Sequence, residues 1–223
     1  DVHRLVASHW LNKSPEEVSS TERSQAKSMV YGITYGIGPR TLGEKLGINH
    51  EQALKFISKF KDRYPAVKTF ILENVKDAKR DLKVLTLWGR QRLLPDIISK
   101  SDRLRTQAER QAVNTIIQGS AADLVKLAMI KTARLIKKHN IDSRLLLNIH
   151  DELIYEVPPE NLELMADLIR EGMEHATKLD VPLKINLKVG LTWGSMIECT
   201  TDEEVAKVVS KFKSSGGWSS VPS

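Results

Sequence analysis

Leu145-Leu146-Leu147-Asn148-Ile149-His150-Asp151-Glu152-Leu153-Ile154-Tyr155-Glu156-Val157 is the stretch around which the chain is organised. Two apolar, β-prone segments flank the polar pair His150-Asp151, the spacing expected of a tight hairpin. The segments are apolar enough to be buried, yet the tip carries a histidine and two adjacent carboxylates. Burying Asp151 and Glu152 without a cation is costly. A carboxylate pair on a rigid hairpin suits Mg²⁺, which favours one or two carboxylates plus substrate phosphates. In the plainer alternative Asp151 serves the turn, as Asp commonly does, and Glu152 faces water. The hairpin alone leaves both readings open.

The 223 residues are enough for one large domain or two smaller ones with a real core. With 41% hydrophobic and 28% charged residues, the composition is that of an ordinary globular chain. No apolar run approaches a membrane span, so no membrane partner is expected. The opening Asp1-Val2-His3-Arg4 is not a signal peptide; without an initiator Met, it reads as a piece of something longer. A net charge of +6 favours an anionic partner. The single cysteine, Cys199, excludes an internal disulfide and a cysteine zinc site, and the six scattered histidines do not offer a structural metal site.

Upstream of the hairpin, Val2 to Trp10 reads as a short helix and Pro15 lies in a polar loop. Ser19, Ser20 and Thr21 are N-cap candidates before Glu22. In the helix that follows, Arg23, Lys27, Tyr31 and Tyr35 recur every four residues along one slowly drifting stripe. Ala26, Met29, Val30 and Ile33 occupy inward positions. Gly32 and Gly36 each weaken the helix by about 1 kcal/mol relative to Ala, which points to something approaching closely. Cations followed by aromatics match a nucleotide laid lengthwise, phosphates at one end and base at the other. An amphipathic helix with snorkelling basic residues has the same spacing.

Further on, Gly36 and Gly38 end the tyrosine helix and Pro39 starts the next at its first position. Glu51 to Arg63 is a helix with Leu54, Ile57 and Phe60 inward, and another follows Pro65 with Val67, Phe70, Ile71, Asn74 and Val75 on one face. Lys83 to Leu94 reads as a hairpin turning at Trp88-Gly89. Arg103 to His139 is helical with a break around Gln118-Gly119. Within it Arg110, Asn114 and Gln118 share a stripe, suited either to the acceptors of a duplex minor groove or to a buried polar ladder. Asn161 opens a helix to Thr177 with Leu164, Leu168 and Met173 inward. Leu183 to Leu191 alternates as a strand beside the central hairpin, Asp202 to Phe212 is a short helix, and the Gly/Ser-rich end from Ser214 is read as disordered.

Three of these stretches, in this order, resemble family A (Pol I-like) DNA polymerases. Arg23-Ser24-Gln25-Ala26-Lys27-Ser28-Met29-Val30-Tyr31-Gly32-Ile33-Thr34-Tyr35-Gly36 is similar to the family's fingers-helix motif, and Ile149-His150-Asp151-Glu152-Leu153 to its third palm motif. Between them, Ala108 to Asp123 resembles the primer-template helix. Gly89-Arg90-Gln91-Arg92-Leu93-Leu94-Pro95 resembles the family's Gly-Arg-rich turn, with Gln91 where a third Arg is common. The resemblance runs from residue 1 to roughly 197.

The resemblance implies an α+β fold, a helical fingers subdomain plus part of a palm built on an antiparallel sheet with packed helices. The division expected is 1–100 for partial fingers, 101–212 for the C-terminal part of the palm with its catalytic hairpin at 145–157, and 213–223 for a disordered tail. It implies template-directed nucleotidyl transfer from a dNTP to a primer 3′-hydroxyl, with two Mg²⁺ ions, one ligand set lying outside this chain. Asp151 would bind metal, Glu152 would be a metal or supporting carboxylate, and His150 would position the primer end. Arg23 and Lys27 would grip the triphosphate, with Lys27 giving a proton to pyrophosphate and His3 making a further phosphate contact. Tyr31 would lie at the sugar and Tyr35 at the base. Arg110, Asn114, Gln118 and His150 would contact DNA.

The implied partners are primer-template DNA, dNTPs and the remainder of the polymerase, thumb and rest of palm. Tyr31 stands where bacterial members commonly have phenylalanine, which leans the reading toward the eukaryotic theta/nu repair enzymes. The expected location is nuclear for that subgroup and cytoplasmic for a bacterial one, and not secreted. The family's other metal aspartate lies upstream of Asp1, so these residues alone are expected not to extend a primer. The rival from another class is a non-catalytic basic DNA-binding module, since Gly36-Ile37-Gly38 before a helix also resembles a helix-hairpin-helix.

Overall fold

The computed structural model describes residues 1–214. They form two compact units, Asp1–Ser120 and Ala121 onward. The first unit is mainly helical: α1 (Val2–Leu11), α2 (Ser20–Thr34), α3 (Pro39–Leu46), α4 (His50–Arg63) and α5 (Pro65–Asp81) precede the short strands β1 (Lys83–Leu85) and β2 (Gln91–Leu93), then α6 (Asp102–Asn114) and a π turn, Thr115–Gly119. The second contains nearly all of α7 (Ser120–Lys138), then β3 (Arg144–Ile149), β4 (Glu152–Glu156), α8 (Leu162–Glu174), β5 (Leu187–Val189), β6 (Ile197–Cys199) and α9 (Asp202–Ser214). Helices with small antiparallel sheets make the fold α+β, as expected from the sequence.

The start of α2 is set by side chains. Ser19 is the N-cap, its hydroxyl accepting from the Glu22 amide at 3.2 Å, while the Glu22 carboxylate accepts from the Ser19 amide at 2.9 Å, closing a capping box. Lys13 adds an ion pair to Glu22 at 2.6 Å. The Lys13 hydrogen bond, and then those from Ser19, pull the Glu22 pKa down to about 2. The folded state therefore binds fewer protons than the unfolded one, so this stabilisation is present above the ordinary Glu range and is lost as pH falls toward 2. Glu22→Gln keeps the cap geometry and loses the charge. It should lower the melting temperature at pH 7 and match the parent near pH 2; an equal deficit at both would overturn this account.

Inside, Ala26, Met29 and Ile33 of α2 pack with Val6, Ala7, Leu42, Ala53 and Phe60 as one core. On α4 the inward line is Ala53, Ile57 and Phe60. Leu54, expected inward, lies one residue and so about 100° further round, and is 47% exposed. A second core joins α5, the β1–β2 hairpin and α6 through Ala78, Val84, Leu94, Ile97, Ala108 and Ala112. The β1–β2 hairpin closes where Gly89 N donates to Thr86 O, at the expected turn.

In the second unit the expected hairpin is present, Ile149 pairing with Glu152 across the two-residue tip. Its register shifts between Leu145 and Leu147, a bulge at Leu146. The expectation of burial fails on β3, where Leu145, Leu146 and Leu147 are all exposed: among the described residues β3 pairs with β4 alone. The strand predicted over Leu183–Leu191 shrinks to Leu187–Val189 and pairs with β6, not with the hairpin. One reason is that the Ile185 amide is already committed to the Glu174 carboxylate at 3.1 Å. On α8, Leu164 is exposed and the core side is Met165, Ala166 and Leu168. Helix α9 runs to Ser214, so 213 and 214, expected in a disordered tail, are helical; 215–223 lie outside the described residues.

Candidate functional site

The α2 stripe survives folding. Because Ala26, Met29 and Ile33 are pulled into the core, the opposite face carries Arg23, Lys27 and Tyr31 outward. Tyr35 falls just past the last turn, as C-cap, yet its ring stacks on Tyr31 with centroids 6.1 Å apart and planes 10° from parallel. Lys27 Nζ lies 6.0 Å from the centre of the Tyr31 ring, within cation–π range. From α1, His3 tilts against the same ring at 5.5 Å. Burial, and then the nearby Arg23 and Lys27 charges, lower the His3 pKa, so near neutrality its ring is uncharged and offers one N–H donor.

Arg23 is held from its Nε edge by the Asp1 carboxylate at 2.6 Å, and the other oxygen of Asp1 caps α1 by accepting from the Arg4 amide at 3.0 Å. Sequence reasoning passed over Asp1 in this role, because nothing in a sequence of separate helices ties residue 1 to residue 23.

The glycines show what approaches. A side chain at Gly32 would meet Ile37 at 3.0 Å. Gly36 has φ +76, the left-handed region, and a Cβ there would come within 2.8 Å of Arg110 Cγ. Arg110 of α6 thus runs its stem past the end of α2. Together Ser28, Tyr31, Gly32, Tyr35, Ile37, Lys45 and Arg110 line an open groove of about 390 Å³. Lys45 was not singled out by sequence, since a lysine in the last turn of a short helix reads as a dipole partner. Gly38 caps α3 and Pro39 opens it, the plain junction expected.

Asn114 ends α6 and Gln118 lies within the π turn. Gln118 is exposed, and Asn114 Oδ1 is buried with no hydrogen-bond partner among the described residues. The stripe that sequence spacing drew through Arg110, Asn114 and Gln118 therefore crosses a change of helix type.

His150, Asp151 and Glu152 occupy the hairpin tip of the second unit. All three are exposed, and His150 takes a left-handed backbone, φ +55. That is the positive φ a two-residue hairpin turn requires at its first central residue, and it costs a non-glycine residue about 1–2 kcal/mol. Within this unit neither carboxylate is engaged in an ion pair among the described residues. Two adjacent, unneutralised carboxylates fit the share of ligands Mg²⁺ takes from protein beside substrate phosphates. No group of three or more His, Cys, Asp or Glu able to hold a metal occurs among the described residues. Among them, too, no helix is long and apolar enough to cross a membrane.

The family model of DNA polymerase family A matches residues 1–195. The chain is 42% identical over 193 residues to DNA polymerase I of Bacillus subtilis, covering 86% of this chain and 22% of that protein. To DNA polymerase I of Treponema pallidum it is 37% identical over 194 residues, covering 87% and 20%. Among solved structures, the POL domain of Pol1 from M. smegmatis, in complex with DNA primer-template and dNTP, matches with a TM-score of 0.81 and 35% identity, over 92% of this chain and 35% of that one. The chain thus spans about a fifth of the length of the curated relatives it matches. These relatives are bacterial, and the lean toward eukaryotic theta/nu enzymes finds no support in them.

Proposed function

The chain belongs to DNA polymerase family A, and from that premise we propose that it is the fingers and C-terminal palm portion of a template-directed DNA polymerase acting on primer-template DNA and dNTPs. The observation that carries this reading is the order of side chains in the first unit: His3, Arg23 and Lys27, then the stacked Tyr31 and Tyr35. Three donors for phosphate oxygens lead into two rings able to bound a sugar and base. The excess of Lys and Arg over Asp and Glu also falls within the first 120 residues, as a phosphate-binding surface requires.

In the reaction, the primer 3′-hydroxyl loses its proton to water and its oxygen bonds to the α-phosphorus of the dNTP, as the bond to the bridging oxygen breaks and pyrophosphate leaves. Arg23, braced by Asp1, and His3 hold the triphosphate; Lys27 neutralises it and gives a proton to the leaving pyrophosphate oxygen. Tyr31 abuts the sugar and Tyr35 the base, while Arg110, Asn114 and Gln118 contact the new duplex and His150 positions the primer end. Asp151 and Glu152 are the residues of this chain that would hold Mg²⁺, which when bound activates the attacking hydroxyl and offsets charge on the phosphates. We expect the 223 residues by themselves to leave a primer unextended.

The test is primer extension by the full-length polymerase carrying this chain, with all four dNTPs and Mg²⁺. Template-dependent synthesis that stops on chelation is expected. Tight primer-template binding with no incorporation would overturn the reading in favour of a non-catalytic DNA-binding module. Tyr31 gives a finer check. Its hydroxyl faces the sugar position in this reading and can replace a contact a dideoxynucleotide lacks. Tyr31→Phe should therefore raise discrimination against dideoxynucleotides by about tenfold, one hydrogen bond's worth, in competitive incorporation assays; equal discrimination would refute the assignment.

A further inference from the structure

The long helical run from Asp102 to Lys138 changes type where Asn114 and Gln118 sit, and the change is held by the β1–β2 hairpin. At the π turn Arg90 donates through Nη2 to the Gly119 carbonyl at 3.0 Å. Arg92 Nη1 donates to Thr115 Oγ1 at 3.3 Å, and the Leu87 amide donates to Ser120 Oγ at 2.9 Å. Both hydroxyls also turn back on the helix, Thr115 donating to the Gln111 carbonyl at 2.7 Å and Ser120 to the Ile116 carbonyl at 2.5 Å. Thr86 fills the space beside Gly119, where an added Cβ would lie 2.9 Å from the threonine methyl. Thr86, Thr115 and Ser120 are all buried. Hairpin and π turn are therefore one polar assembly with no slack.

The geometry has a consequence for Asn114 and Gln118. In an unbroken α-helix, residue i+4 returns about 40° past residue i. A π turn bonds five residues back and spends more residues per revolution, so Gln118 swings back relative to Asn114. The angle between the two amides is set by whether the π turn persists.

We propose that Arg90 and Arg92 are positioning residues which, by holding the π turn, fix the angle between Asn114 and Gln118 and so the strictness with which the polymerase inspects the primer-end base pair. They act through Gly119 and Thr115, not on the DNA. This rests on the polymerase reading given above.

In the full-length polymerase, Arg90→Met removes the donor and keeps the stem. It should lower the preference for matched over mismatched primer ends by about tenfold, the scale of one charge-assisted hydrogen bond. Gln118→Ala should do likewise, and the double variant should be no worse than the worse single one. Amide hydrogen exchange over 115–121 should quicken in Arg90→Met, and Arg90→Lys should recover part of both effects. Losses that multiply, an unchanged preference, or unchanged exchange would each overturn the proposal. If Arg90→Met does not fold, Arg92→Met is read in the same way. If the parent polymerase incorporates nothing, the polymerase reading fails by itself. The same double-variant comparison of primer-template affinity by fluorescence anisotropy then decides this proposal, non-additive losses supporting it and additive ones ending it.

Discussion

Asp151→Ala in the full-length polymerase is expected to reduce nucleotide incorporation by about a hundred- to a thousandfold, the scale seen when one preorganised electrostatic partner of the reacting atoms is removed. Three readouts should separate. Incorporation collapses; folding stability stays within the spread of a surface substitution, roughly 0.5 kcal/mol, so the melting temperature barely moves; and affinity for primer-template DNA is largely retained. The second follows because Asp151 is exposed at the hairpin tip and has no ion pair within its unit among the described residues, so its removal breaks no contact described there. The third follows because the net positive charge is carried by the first unit, and phosphate neutralisation dominates affinity. Asp151→Ala with substantial activity would end the assignment of this carboxylate to metal. A large fall in melting temperature would instead make Asp151 a turn residue.

Lys27 gives the second large effect, and two substitutions divide its roles. Lys27→Ala should lower kcat/KM for dNTP by about 10²–10⁴, since in the proposed reaction it removes both a phosphate partner and a general acid. Lys27→Arg keeps a cation over the Tyr31 ring, but a guanidinium does not release its proton in this range. KM should then stay near the parent value while kcat falls. Single-turnover incorporation with saturating dNTP measures the split. If Lys27→Arg keeps full kcat, the residue neutralises charge without giving a proton, and that step moves elsewhere.

The parts of the fold that local rules govern were legible. Ser19 and Glu22 announced the start of α2, Gly36 and Pro39 its end and the next beginning, and the two-residue spacing at His150-Asp151 the hairpin. The stripe of Arg23, Lys27, Tyr31 and Tyr35 was visible because helical periodicity alone aligns it. What failed depended on partners distant in sequence. Leu54 and Leu164 fit the apolar period, but neighbours chose the adjacent line of residues. The alternation at Leu183–Leu191 promised a long strand, and a side chain from α8 took one of its amides. Neither the brace between Asp1 and Arg23 nor the π turn under Gln118 has a local signature beyond the helix-weakening Gly119. The left-handed backbone of His150 was implied by the same two-residue spacing, because the favoured tight hairpin turns need a positive φ at their first central residue.

Three consecutive leucines on β3, 37%, 53% and 45% exposed, lie on a two-stranded ribbon that has no third strand among the described residues. Ribbons of this kind are marginal in water, and each strand leaves a row of amides and carbonyls available to a neighbour. As a laboratory reagent, this stretch of polypeptide produced by itself will be sticky. Molecules meeting ribbon to ribbon would satisfy both the grease and the open backbone, so dilute handling and a solubilising fusion suit it better than concentration for crystallisation.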